Sequence, residues 1–274
     1  MDTLKELQGA ILKVAKEIHR ICVDHHIKYF MLGGTFIGAV RHRGFIPWDD
    51  DIDFGMTYDQ YLRFIHVAKT LQHEWLVFDF PEYENKDYAN LFIKAYDRNT
   101  TLVEHDKPND VRGVFVDIFP VLPARDTKEA CLKEMKLAVC LRRLLQCKRY
   151  NLYEHRPVVK RLMQIVSRIT PRRLIFYLAE RQIASLATEG RKFHIAPDGT
   201  KKDIYDTRYF KEEYILYPFE DTQFYGIKDY DHYLTDVFRD YMTLPPEDRR
   251  NPHHLNYVDL DRPFATYNQQ QRDK

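Results

Sequence analysis

The amino-acid sequence predicts an α/β fold, a mixed sheet core carrying a helical, basic insertion. Three observations lead to it. Short apolar or alternating runs of strand type interleave with helix-period repeats as far as Pro120. From about Thr127 to Leu186 only helical periodicity remains. Finally, 44% of the residues are hydrophobic and 14% aromatic, enough for a packed core and too much for a disordered chain.

Thr3-x-x-Glu6 fits a capping box, and Leu4, Leu7, Ile11, Val14, Ile18 and Ile21 follow at helical spacing to about His25. Tyr29–Leu32 reads as a buried strand stopped by Gly33-Gly34, and Thr35–Val40 as a short helix opened by that pair. Gly44 and Pro47 break the chain before Asp51-Ile52-Asp53-Phe54, which alternates like a strand. A helix over Tyr58–Leu71 is followed by strands at Trp75–Phe78 and Leu91–Tyr96. A further strand, Val114–Phe119, ends at Pro120. Two or three helices occupy 127–190, broken near Arg156-Pro157 and Thr170-Pro171. Aromatic-rich loops after Tyr205 precede a helix near Tyr230–Tyr241, and the last ten residues read as frayed.

The formal net charge is +1, which removes the simple electrostatic case for a nucleic-acid partner. That neutrality hides an asymmetry. Between Lys133 and Arg181 stand 13 Lys or Arg against three Glu, a local charge of +10 and a remainder of −9. Within it Leu162, Ile165, Val166 and Ile169 form an apolar stripe flanked by Lys160, Arg161 and Arg168. Such a helix can lie peripherally on an anionic membrane. The plainer reading, a subdomain whose stripe packs on the sheet, is the one preferred. Cys22, Cys131, Cys140 and Cys147 show no metal-type spacing and read as apolar core thiols in a reducing compartment. With no signal-peptide pattern and no spanning-length apolar run, the expectation is a cytoplasmic protein, at most peripheral at the inner face of the membrane.

The chemistry concentrates in Gly33-Gly34-Thr35 and Trp48-Asp49-Asp50-Asp51-Ile52-Asp53. On a strand, Asp51 and Asp53 share a face, and two carboxylates so close repel unless a cation lies between them. Hard oxygen ligands suit Mg²⁺, or Mn²⁺. Ile52, Phe54 and Met56 put these acids on the edge of a core strand, which weakens the alternative of a solvated acidic turn. A glycine pair between strand and helix lets backbone N–H groups approach a phosphate, and Thr35 adds a hydroxyl there. Asp117, alone among apolar neighbours, is a candidate third carboxylate, as ligand or base. Arg41, His42 and Arg43 are placed either to meet a pyrophosphate or to pair with Asp49 and Asp50 and hold the loop. Lys94, in the apolar run Phe92–Ala95, needs an anion if buried: a donor phosphate or an active-site aspartate. Trp48 could offer its ring to a choline-like cation, with loop packing preferred. His253-His254 point different ways and are not read as metal ligands.

The run Leu32–Asp53, LGGTFIGAVRHRGFIPWDDDID, closely resembles the signature of the LicD family of phosphocholine and related phosphotransferases, whose domain fukutin shares. The resemblance continues in Val116-Asp117-Ile118-Phe119-Pro120 and in Asp240-Tyr241-Met242-Thr243-Leu244-Pro245-Pro246. Arg239 stands where family members often carry glycine. The resemblance implies a nucleotidyltransferase-like core over 1–126 and a basic helical segment over 127–190, with 191–274 completing the catalytic domain. It implies transfer of a phosphoalcohol from a CDP-activated donor, CDP-choline foremost, to a sugar hydroxyl of a glycan or lipid-linked glycan, releasing CMP. Asp51, Asp53 and Asp117 then hold the metal and act in catalysis; Gly33, Gly34 and Thr35 face the phosphate, with Arg41 and Lys94 as further substrate contacts.

Three rivals remain at this point. A true nucleotidyltransferase would use the same acids to move a nucleoside monophosphate. A glycosyltransferase would need more than the 50 residues preceding Asp51 for its nucleotide-binding half. A non-catalytic binding module on this fold would most cheaply have lost an acid, and all three are present.

Overall fold

A computed structural model describes residues 2–104, 110–149, 157–186, 191–197, 202–252 and 255–272. The chain divides into two compact units: Met1–Phe78, Lys94–Phe119 and Glu212–Lys274, and then Asp79–Ile93 with Pro120–Lys211.

The first unit opens with α1 (Asp2–Asp24), whose Leu7, Ile11, Val14, Ile18 and Ile21 are all buried, as their spacing requires. β1 keeps only Phe30–Met31 of the expected strand and leads into α2 (Gly33–His42), β2 (Asp53–Thr57) and α3 (Tyr58–Thr70). Next come β3 (Leu76–Asp79), β4 (Ile93–Asp97), β5 (Thr101–Glu104), β6 (Val111–Arg112) and β7 (Phe115–Pro123). The main sheet runs β1-β2-β7-β4-β3, so the α/β expectation holds. Asp51 is not on the strand. β2 starts at Asp53 because pairing with β1 begins there: Met31 faces Phe54, and the Leu32 N–H donates to the Asp53 carbonyl at 3.0 Å. Nor does Pro120 end β7. The boundary between the units falls between Phe119 and Pro120, and the strand then takes β8 as its partner at Leu122 and Pro123.

The second unit adds α4 (Lys128–Cys147), α5 (Pro157–Ile169), α6 (Arg172–Leu186), β8 (Phe193–Ile195) and β9 (Ile204–Asp206). Leu141, Leu144, Leu145, Ile175 and Phe176 form its helical core, with Met163 and Val166 packed against it. Ser167 Oγ donates to the Leu144 carbonyl at 3.0 Å, which fixes the inward side of α5. The expected packing of the α5 stripe is therefore corrected. Val166 turns inward, while Leu162, Ile165 and Ile169 face outward and are exposed. Cys140 is likewise exposed, on the outer side of α4; only Cys22 and Cys131 are buried thiols.

The first unit resumes at Glu212. Where loops were expected it forms a hairpin, β10 (Ile215–Phe219) and β11 (Thr222–Gly226). Pro218 inside β10 and a turn through Glu220 at φ +52°, without glycine, hide that hairpin from pattern reading. Phe219 and Phe224 pack edge-on with Phe45 and Phe54, so the aromatic surplus is core. α7 (Tyr230–Phe238) stops at Arg239; β12 (Leu255–Asp259) pairs with β5 in a second sheet, β12-β5-β6. Where the last ten residues read as frayed, Phe264–Arg272 forms α8; 273 and 274 lie outside the described residues. No helix among the described residues is long and apolar enough to cross a membrane.

Candidate active site

Two strands, the loop leading into β2 and the start of α2 bring the acids of the first unit together. β2 and β7 are neighbours, and the Asp117 N–H donates to the Ile52 carbonyl at 3.1 Å. The Asp53 N–H donates to Thr35 Oγ1 at 2.8 Å, so the buried threonine ties the first turn of α2 to the first residue of β2. The Asp53 carboxyl sits well above the usual carboxylate range. Loss of water is the main cause, followed by the charges of Asp51, Asp117 and Asp49; Lys94 opposes them. Asp51 thus belongs to the cluster although the strand starts two residues later. Asp49 is a member that sequence reasoning used only as a loop partner; its place in the D-D-D-x-D run was the signal.

The glycine pair lets the backbone come close to these acids. Gly33 has φ +53°, and Asp53 Oδ2 lies 3.6 Å from the point a Cβ would occupy. At Gly34 such a carbon would stand 2.8 Å from Asp49 Oδ2. The first turn of α2, whose N–H groups lack intrahelical acceptors, therefore faces the acid cluster, a favourable placement for negative charge. The loop bearing Asp49 is braced from two sides. Gln8 Nε2 donates to the Asp49 carbonyl at 2.8 Å. Glu220, at the hairpin turn, accepts from the Phe45 N–H at 3.0 Å and donates its own N–H to the Arg43 carbonyl at 2.8 Å. Neither Gln8 nor Glu220 carried a sequence signal.

Lys94 is 1% exposed, on a strand with β7 on one side and β3 on the other. Its Nζ stands 3.0 Å from Asp117 Oδ1 and 4.0 Å from Glu104 Oε2, over the Phe115 ring. Of the anions expected to satisfy it, the aspartate does.

Arg41 Nη1 donates to the Tyr241 carbonyl at 2.6 Å, and its Nε to His42 Nε2 at 2.9 Å. It thereby joins the first motif to the D-Y-M-T-L-P-P segment. Arg43 closes α2 in the left-handed region at φ +59°. Trp48 carries the Arg250 guanidinium 5.4 Å from its ring centre. His253-His254 lie outside the described residues.

Two cavities of the first unit, about 660 and 380 Å³, lie elsewhere, lined by residues such as Lys13 and Trp75 or His26 and Tyr214. No aspartate of the cluster lines either of these two. Among the described residues no three His, Cys, Asp or Glu side chains are gathered at metal-holding distance. In kind, though, the set fits a hard divalent cation. Several carboxylates share one field around Asp53, and Lys94 is the cation opposing them there.

Similarity to known proteins extends over most of the chain. The family model "LicD/FKTN/FKRP, nucleotidyltransferase domain" matches residues 26–140. The chain is 30% identical over 265 residues to the lipopolysaccharide cholinephosphotransferase LicD of Haemophilus influenzae, covering 92% of this chain and 96% of that one. An uncharacterized Rickettsia prowazekii protein is 32% identical over 87 residues, 32% of this chain and 28% of its own. A Rickettsia typhi counterpart is 38% identical over 58 residues, 21% and 19% of the two chains.

Proposed function

The chain belongs to the LicD family, and from that premise we propose that it transfers phosphocholine from CDP-choline to a sugar hydroxyl of a lipopolysaccharide or its precursor. The observation that carries the reading is the half-buried Asp53 carboxyl, with Asp51, Asp117 and Asp49 around it, against the glycine-lined start of α2. Such a cluster is suited to a reaction whose main demand is neutralising and positioning phosphate charge. Its relative in Haemophilus, matched almost end to end, is named a lipopolysaccharide cholinephosphotransferase.

In this reading Asp51, Asp53 and Asp117 hold Mg²⁺, or Mn²⁺, which when bound supplies charge neutralisation at the pyrophosphate. Gly33 and Gly34 let backbone N–H groups approach the donor phosphates. The acceptor oxygen attacks the phosphorus bearing choline. The bond from that phosphorus to the bridging oxygen breaks, CMP leaves with that oxygen, and the hydroxyl proton passes to a carboxylate of the cluster. Lys94 holds Asp117 in place for either duty. Arg41, engaged with Tyr241, sets the last motif beside the first rather than committing its charge to substrate. A cytoplasmic location, where such a donor is made, goes with this reading.

The test is incubation of the chain with Mg²⁺, a lipopolysaccharide acceptor and a panel of CDP-choline, CDP-ribitol and CDP-glycerol, with products read by mass spectrometry. CMP release together with a phosphocholine-bearing glycan, from CDP-choline alone, is expected. Release of phosphocholine with cytidylated glycan would instead make the chain a nucleotidyltransferase, and no turnover with any donor would overturn the reading.

A further inference from the structure

α5 presents two unlike sides. Met163 and Val166 pack into the helical core, and Ser167 bonds to α4, which fixes how the helix is rotated. Val158, Leu162, Ile165 and Ile169 follow at spacings of four, three and four, a single row on the other side. They are 79%, 61%, 58% and 73% exposed. An outward row of large aliphatics is the reverse of what a solvated helix face carries. Arg161 and Arg168 border the row on its edge away from the core, and both are exposed. The α5 segment PVVKRLMQIVSRI contains no acidic residue, and it lies inside the stretch of local charge +10.

We propose that this face of α5 docks on an anionic membrane surface. The four aliphatics seat in the acyl boundary, and Arg161 and Arg168 meet lipid phosphates. Charge decides the occupant. A second copy docking by two-fold symmetry would bring the same basic edge against itself, with no acid on α5 to answer it. An anionic leaflet supplies the complementary sign along the whole edge and needs no shape match to an aliphatic row. The inference rests on α5 alone, so it stands or falls independently of the catalytic reading.

The experiment is co-sedimentation of the full chain with vesicles of phosphatidylcholine and of phosphatidylcholine mixed with phosphatidylglycerol. Light scattering after size exclusion, without vesicles, accompanies it. The wild type is expected to sediment only with the phosphatidylglycerol vesicles and to be released when salt is raised to about 0.5 M. Leu162→Glu/Ile165→Glu and Arg161→Glu/Arg168→Glu should each lower the bound fraction about tenfold or more. Both replace exposed side chains, so the melting temperature should stay at the wild-type value, separating lost docking from lost folding. No sedimentation at low salt would overturn the proposal. So would wild-type binding by both double variants, or a wild-type dimer that Leu162→Glu/Ile165→Glu dissolves with no vesicle binding in either form.

Discussion

Lys94 Nζ lies 3.0 Å from Asp117 Oδ1 with the lysine all but fully enclosed and the aspartate side chain 15% exposed. The ammonium is thus committed inward, and the carboxylate keeps one side toward the cluster. Removing one partner of a buried pair leaves the other uncompensated, at a cost of about 3 kcal/mol. Lys94→Met is expected to lose stability on that scale and to lose turnover even below its melting temperature. Asp117→Asn keeps an acceptor for Lys94, so its stability should fall less while turnover is nearly abolished. Thermal denaturation and CMP release, measured on both variants, check the contrast.

The repulsion around Asp53 predicts a separation of stability from activity. Asp53→Asn removes a charge that burial and three neighbouring carboxylates already disfavour, so the metal-free variant should melt above the wild type. Asp53→Asn and Asp51→Asn should both lower turnover about a thousandfold by removing metal and phosphate positioning. Near wild-type turnover in both would remove the carboxylate–metal assignment.

Arg239 has φ +65° and ψ −114°, a conformation that glycine adopts freely and arginine does not. An arginine stands there where the resembling family often has glycine, and the backbone conformation strains it. Arg239→Gly is expected to raise stability by about 1 kcal/mol, net of the greater freedom glycine gains when unfolded. Chemical denaturation midpoints at constant slope measure it.

His19 gives the fold a pH dependence. Its Nδ1 lies 2.6 Å from the Tyr29 hydroxyl, among the rings of Tyr29, Phe224 and Tyr225. Burial holds its pKa below the ordinary histidine value, near 6.5. The unfolded chain therefore takes up the proton first as pH falls. Stability is full above pH about 6.5 and is lost progressively below it, until the folded form protonates too. Melting curves from pH 8 to 5 should show this loss in the wild type and a smaller one in His19→Gln.

The parts of the fold readable from sequence were those with local causes. α1 and α3 follow from their 3.6-residue repeats, and the Asp51–Asp53–Asp117 set from carboxylates spent beside apolar residues. What stayed hidden has causes distant in the chain. Asp53 opens its strand because of pairing with β1, the β10–β11 hairpin turns without a turn signature, and the α5 row faces outward because Ser167 and Val166 face in. Gln8 and Glu220 brace the acid loop through a few long-range hydrogen bonds, which no residue pattern encodes.

Those braces bear on how the protein is made. Glu220 secures Phe45 across 175 residues of sequence, and Tyr241 receives Arg41 across 200. A nascent chain emerging at about 5–20 residues per second therefore carries its acid loop without the Glu220 and Tyr241 contacts for some ten to forty seconds. During that interval the acids are present but the clamp is not. The last part of synthesis thus completes the bracing of the acid loop, and a product truncated before Glu220 would display the complete acidic motif without that support.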